Sequence, residues 1–423
     1  MNPLRFCFFT TFYPPYNFGG DGIAVQNLAR GLVSHGCEVT VVHDCDAYRA
    51  LHRKPDPPAP TPEPGLRRVA LESRLGRLSP LLTHQCGRPI VHGRRIRRLL
   101  RESRFDVLVF HNVSLIGGPG LLSYGQGIPK IYMAHEHWLV CESHTLWRHN
   151  RELCTGRQCI RCALHYRRPP QLWRWTRYLA RQTRHVDTFV AMSEFSRRKH
   201  RELGFEPPME VLPQFVLPVD EPATTRAEDR PPHPRPYFLF VGRLERMKGL
   251  DDVVSAFEQF GDADLLVAGE GEYGPELKQR ASGNARIVFL GRLEKRVLDD
   301  YYRHAIALIV PSVGYETFGL TIIEAFQHGT PVIARRVGPL QEIIEPAGGG
   351  MTFETVDELV FALRSVQGDP ARRAALGDQA FGAYQSCYTA RVVVPRFLDL
   401  SRKTIEAHRR NRLPAAWRVG SDT

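Results

Sequence analysis

The stretch FLFVGRLERMKGLDDVVSAF, residues 238–257, decides the fold. Four apolar residues run into Gly242, then Arg243 and Lys248 follow, and Gly249 opens a run with apolar residues at helical spacing. A buried strand, a glycine turn and a helix in direct succession are the repeating unit of a parallel sheet. The same rhythm continues through ADLLVAG (263–269), ARIVFLG (285–291), AIALIVP (305–311) and TPVIAR (330–335). Continuous rather than alternating apolar runs mean strands covered on both faces.

Working outward, the first half carries an earlier set: RFCFF (5–9), CEVTVVH (37–43), FDVLVFH (105–111), PKIYMAH (129–135), VDTFVAM (186–192) and MEVLP (209–213). DGIAVQNLARGLVSHG (21–36) and SEFSRRKHRELG (193–204) read as helices between them, the first capped at Gly36. Between the two sets, residues 212–236 are rich in proline and charge and lack periodicity. The chain therefore divides into a first α/β domain over 1–215, a linker over 216–235, a second α/β domain over 236–390, and a helix and tail over 391–423. Residues 53–65, with six prolines, read as a surface loop. Both domains are doubly wound and Rossmann-like, and such sheets bind ligands beyond the carboxyl ends of their strands. Two of them facing each other make a cleft.

Composition sets wider bounds. The 423 residues are 43% hydrophobic and 24% charged, ordinary globular values. No apolar run reaches membrane-spanning length and no signal-peptide pattern is present, so a cytoplasmic protein is expected. The net charge of +12 is concentrated: seven arginines lie in 88–104 and six in 167–186, the latter interleaved with tryptophan. Such segments face anionic lipid, a phosphorylated substrate or nucleic acid, or they are solvated helix faces.

The chemistry of the second domain follows from its loops. Arg243 and Lys248 beside the glycine turn at Gly242 suit a phosphate or diphosphate. Gly269 and Gly271 allow another close backbone approach. In PSVGYETFGLTIIEAFQHGTPVIARR (311–336) a helix begins near Gly319, so the free amides of Gly319, Leu320 and Thr321 point into the cleft. Glu316 precedes them, placed to accept bonds from sugar hydroxyls; Glu324, a turn into the helix, is placed for a ribose. Amides for phosphate and carboxylates for hydroxyls together describe a nucleotide sugar.

FVGRLERMKG, VAGEG, IVFLGRL and YETFGLTIIEAFQHGTPVIA, in this order and spacing, resemble the C-terminal domain of retaining glycosyltransferases of family 4, which have the GT-B fold. The resemblance is close over 236–345 and persists more weakly in FYPPYNFGGDGIAVQNLARGLVSHGCEVTVV (12–42). It implies that Arg243 and Lys248 hold the donor diphosphate, that Glu316 meets the transferred sugar, and that the backbone of Thr317, Phe318, Gly319 and Leu320 contacts sugar and phosphate. It further implies that Glu324 binds ribose, the backbone near Leu293 the base, and that Gly19 and Gly20 let the first domain's loop approach the donor phosphates. His135 stands where family members place a histidine facing the donor sugar, with His137 the neighbouring choice; His111 is placed to meet the acceptor. Asp21 carries no specific reading. The partners implied are a nucleotide-diphosphate sugar and a hydroxyl acceptor: a lipid-linked glycan, a polysaccharide or a small molecule. Retention is expected by attack on the leaving-group face, with no cofactor or metal required for catalysis. The Asp-Cys-Asp at 44–46 reads as a helix cap or a chance match to a metal-binding motif.

Cys141, Cys154, Cys159 and Cys162 form a separate pattern, spaced by twelve, four and two residues. Four thiols ending in C-x2-C suit a structural zinc ion; unliganded thiols and disulfides are the other readings. Two competing functions stay open at this level. One is a sugar-nucleotide epimerase on the same fold; the other is a basic, zinc-containing nucleic-acid-binding protein, although no nucleic-acid-binding motif accompanies the arginines.

Overall fold

The computed structural model describes residues 3–412 apart from 53–54, 59, 157 and 220–229. The centre of the expected linker and the tail beyond residue 412 therefore lie outside the described residues. The first domain contains strands β1 (Arg5–Phe9), β2 (Glu38–Asp44), β3 (Leu66–Leu71), β4 (Val107–Phe110), β5 (Lys130–Ala134), a hairpin of β6 (Trp147–Arg148) and β7 (Glu152–Leu153), then β8 (Thr188–Ala191) and β9 (Met209–Val211). The second contains β10 (Tyr237–Val241), β11 (Asp264–Ala268), β12 (Ile287–Gly291), β13 (Leu308–Val310), β14 (Val332–Arg335) and β15 (Gly350–Phe353). The sheet orders are β3-β2-β1-β4-β5-β8-β9 and β12-β11-β10-β13-β14-β15, with every named pairing in both sheets parallel.

Both orders reverse direction in the same way. In the first sheet the switch lies between β1 and β4; in the second it lies between β10 and β13. Crossovers leave in opposite senses there, opening a crevice at the strands' carboxyl ends. The central strands are the apolar runs legible in the sequence. β3 and β15 were not expected as strands. They are the outer strands LRRVAL and GMTF, half-exposed, with less need for a continuous apolar run.

The helix Ala390–Arg412 continues through Pro395 and returns to the first domain. Its Thr404 meets Thr188 at 2.8 Å, its His408 meets Asp187 at 2.7 Å, and Phe397 packs on Phe6. One buried apolar cluster consequently runs from Phe6 and Phe8 through Phe215, Val394 and Phe397 to Leu239 and Phe326. Where the chain passes between domains, the two crossings touch: Val216 bridges Thr389 and donates its N–H to the carbonyl of Tyr388 at 3.4 Å.

Candidate active site

The loops at the two switch points line one cavity of about 570 Å³. After β1 it takes Phe12 and Phe18 to Asp21; after β4, Asn112, Ser114 and Leu115; after β10, Gly242, Arg243, Met247 and Lys248; after β13, Ser312 and Tyr315 to Thr321. Of the residues named from sequence, the cavity brings together Gly19, Gly20, His135, Gly242, Arg243, Lys248, Glu316, Thr317, Phe318, Gly319 and Leu320. Gly269, Leu293 and Glu324 lie outside its lining.

Gly269 supports the wall from behind. A Cβ there would lie 1.9 Å from the carbonyl oxygen of Gly242, so the two turns can stack only through glycine. Leu293 packs against the core beyond β12. Glu324 accepts from the Tyr302 hydroxyl at 2.9 Å; burial pushes its carboxyl up, against the opposing pull of Lys295.

Glu316 is held by two donors. Lys248 Nζ at 2.5 Å and the Ser312 hydroxyl at 2.7 Å both donate to Oε1, leaving Oε2 without a protein partner among the described residues. Burial pushes this carboxyl up, but Lys248 and Ser312 outweigh it and hold Glu316 below the usual carboxylate range. Arg243 pairs with Glu245 at 2.8 Å and remains half exposed. Gly319, at φ +133°, turns the chain into the helix Leu320–Gln327, whose first amides have no partner within the helix. Cations, free amides and one ionised carboxylate thus face the same space.

His135 lines the cavity, yet both ring nitrogens are engaged. Nδ1 lies 3.1 Å from Gln214 Nε2, and Nε2 lies 2.8 Å from His111 Nδ1. Burial lowers its pKa to about 4, so the ring is neutral at neutral pH. His111 is 1% exposed and stands behind His135, outside the lining; the expectation that it meets the acceptor is corrected, because the ring is the buried backing of the cavity wall. His137 also lines the cavity and stacks on His200. Thr317 joins the domains: its hydroxyl donates to the carbonyl of His135 at 2.7 Å, and its carbonyl accepts from Ser193 at 2.8 Å.

Sequence reading missed Asp21 and Asn112. Asn112 donates to the Asp21 carboxylate at 3.3 Å, and burial followed by the charge of Glu136 pushes that carboxyl up. Asp21 directly follows Gly19-Gly20, and that proximity to a phosphate-type loop was the available signal. Also missed was the first domain's wall, where apolar Phe12, Phe18, Leu51 and Leu81 meet Arg77, Arg167 and Arg168.

Asp44 of the Asp-Cys-Asp motif caps the helix Cys45–Leu51, accepting from Ala47 N at 2.9 Å. With Asp46 and His92 it forms the set whose ligating atoms, among the described residues, lie within 4.8 Å of one another. Ser73 and Ser79 hydroxyls bond Asp46 and His92, so this is a buried hydrogen-bond network beneath the first domain's surface.

Two facing doubly wound domains with a phosphate-ready crevice between them define the GT-B architecture. The sucrose-phosphate synthase structure from Thermosynechococcus elongatus has the same fold, with a TM-score of 0.72 at 20% identity, covering 96% of this chain and all of that one. Family profiles match both halves: "Glycosyltransferase Family 4" over 18–218 and "Glycosyl transferases group 1" over 223–382. The chain belongs to the family 4 (group 1) glycosyltransferases. It is 34% identical over 191 residues to a D-inositol 3-phosphate glycosyltransferase of Xylanimonas cellulosilytica, a stretch spanning 42% of this chain and 46% of that protein. A glycogen synthase of Mycobacterium tuberculosis is 27% identical across 87% of both chains.

Proposed function

We propose that the chain transfers a sugar from a nucleotide-diphosphate donor to a hydroxyl of an anionic acceptor, with retention and without a metal in the chemistry. The observation that carries this reading is the convergence of Lys248, Arg243 and the start of helix Leu320–Gln327 on a cavity that also holds the ionised Glu316.

Breaking the bond between sugar and diphosphate builds negative charge on phosphate and positive charge on the sugar carbon. Fixed cations and helix amides stabilise the first, and they need no reorganisation at the moment of reaction. Glu316 Oε2 accepts from a hydroxyl of the sugar and orients its ring. The acceptor hydroxyl enters on the leaving-group face and passes its proton to the departing phosphate oxygen. The anomeric configuration is retained and no protein nucleophile takes part.

Support for an anionic acceptor comes from the opposite wall. Arg77, Arg167 and Arg168 form no ion pair among the described residues, and they line the cavity together with the apolar Phe12, Phe18, Leu51 and Leu81. The relative from Xylanimonas cellulosilytica is named for a phosphorylated acceptor, which fits such a wall. We also infer that the first domain rests on anionic membrane. Its helix Leu78–Cys86 and the turn Leu172–Trp175 expose Leu78, Leu81, Leu172 and Trp175 beside the basic segments.

The test is a thermal-shift screen against nucleotide sugars, followed by transfer assays with phosphorylated and neutral acceptors. A donor that binds the folded state raises Tm. Consumption of that donor only when an acceptor is added supports transfer, and an unchanged rate in chelator supports metal-free chemistry. Donor isomerisation without acceptor supports the epimerase reading instead.

A further inference from the structure

We propose that Cys141, Cys154, Cys159 and Cys162 hold one zinc ion as four thiolates, pinning the segment 141–170 against the acceptor side of the cleft. The thiols come from three places: the loop after β5, the end of the β6–β7 hairpin, and the first turn of the helix Cys159–His165. They nevertheless line one cavity of about 30 Å³, with Ser143, Trp147 and Arg148. That is room for about one small ion or water. All four are reduced cysteines of intermediate burial. Among the described residues no three of these sulfurs lie within 4.8 Å of one another, so loading must draw them inward; zinc–sulfur bonds of about 2.3 Å set the final geometry.

Among its described residues the segment contains two strands of two residues and one helix of seven, with Leu146, Trp147 and Ala163 as buried hydrophobic residues up to 170. Among the described residues, every non-glycine residue at positive φ falls inside it: His144, Leu146, His149, Asn150 and Arg167. L-residues adopt such conformations when surrounding structure imposes them. Four thiolates bound to one dication carry a net charge of −2; Glu142 in the same lining opposes it, and two arginines offset it. Arg148 borders the cavity, and Arg174, held over the rings of Trp138 and Trp173, interacts electrostatically with Cys141 and Cys159.

The consequence reaches the active site. Ser143, His144, Thr145, Arg167 and Arg168 belong to this segment and line the central cavity. The ion therefore positions part of the acceptor wall without touching the donor. This consequence rests on the proposed transfer reaction; the metal itself does not.

The full chain, purified without added metal, should contain about one equivalent of zinc by elemental analysis and show no visible absorption. Cys159→Ser combined with Cys162→Ser should lose the zinc and raise acceptor KM severalfold, while nucleoside-diphosphate binding by calorimetry stays within about twofold. Cys387→Ser, on an exposed thiol far along the chain, should keep the zinc. If the double variant misfolds, cobalt exchanged into the wild-type chain decides, since four thiolates give it the intense bands of a tetrahedral sulfur site. Less than about 0.1 equivalent of zinc, iron with sulfide, or disulfides detected in the denatured unreduced chain would overturn the assignment.

Discussion

Glu316 and Glu324 stand eight residues apart in one motif, and their surroundings push them in opposite directions. Glu316 is held ionised by Lys248 and Ser312, whereas burial raises Glu324 with only partial relief. Glu316→Gln should lower kcat by roughly 10²-fold and change donor KM less, as for a group acting mainly on the transition state. Glu324→Gln should instead weaken nucleotide binding by about 1–3 kcal/mol. Because its pKa is raised, wild-type nucleotide affinity should fall as pH drops through that elevated value, and the Glu324→Gln profile should be flat. Steady-state transfer kinetics and calorimetric nucleotide titrations at several pH values check both; the reverse pattern would exchange the two roles. The residues most legible in the sequence were those whose partners are close along the chain or implied by loop type. Thr317 was harder to read, since its hydroxyl meets a carbonyl 182 residues away. So was His111, whose apolar strand suggested a cleft position while its ring turned out to back His135.

The strand-to-helix turns carry the site, and their glycines are dictated by crowding as well as by φ. Gly249, at φ +68°, would place a Cβ 2.1 Å from the Pro311 carbonyl oxygen, so the loops after β10 and β13 meet only with hydrogen there. Central strands were readable because burial on both faces demands uninterrupted apolar residues. The outer β3 and β15 were not, because one exposed side tolerates the arginines of LRRVAL and the glycine of GMTF. A further consequence falls on the helix capped by Asp44. Burial raises this carboxyl to about 7, with Asp46 nearby, while the bond from Ala47 opposes the rise. The folded state therefore binds more protons than the unfolded chain between about pH 4 and 7, and stability drops as pH rises through that window. Asp44→Asn keeps the cap acceptor and removes the ionisation. Its Tm advantage over wild type should grow from pH 5 to 7 and level off above, worth up to about 4 kcal/mol. Thermal melts across that range measure it; a constant or shrinking advantage would show that the buried charge is compensated.

At the scale of the molecule, the acceptor wall, the basic segments and the exposed Leu78, Leu81, Leu172 and Trp175 all belong to the first domain. Vesicle co-sedimentation should therefore rise with anionic lipid content and fall with salt, as screening shortens electrostatic reach from about 10 Å at 0.1 M. Trp175→Ser should reduce that binding and leave nucleotide affinity unchanged. Equal binding to neutral vesicles would leave the arginines without a part in it. The crossing of Val216 beside Thr389 bears on how the halves move. Two bodies joined by a single thread can tumble about it in any direction. Joined by two threads lying side by side, they behave like a door on a pair of pins, free to swing about one line and stiff against twist. The donor loops of one half can then recede from Gly19 and Gly20 to admit a nucleotide sugar and come back in the same register, because a single angle describes the return.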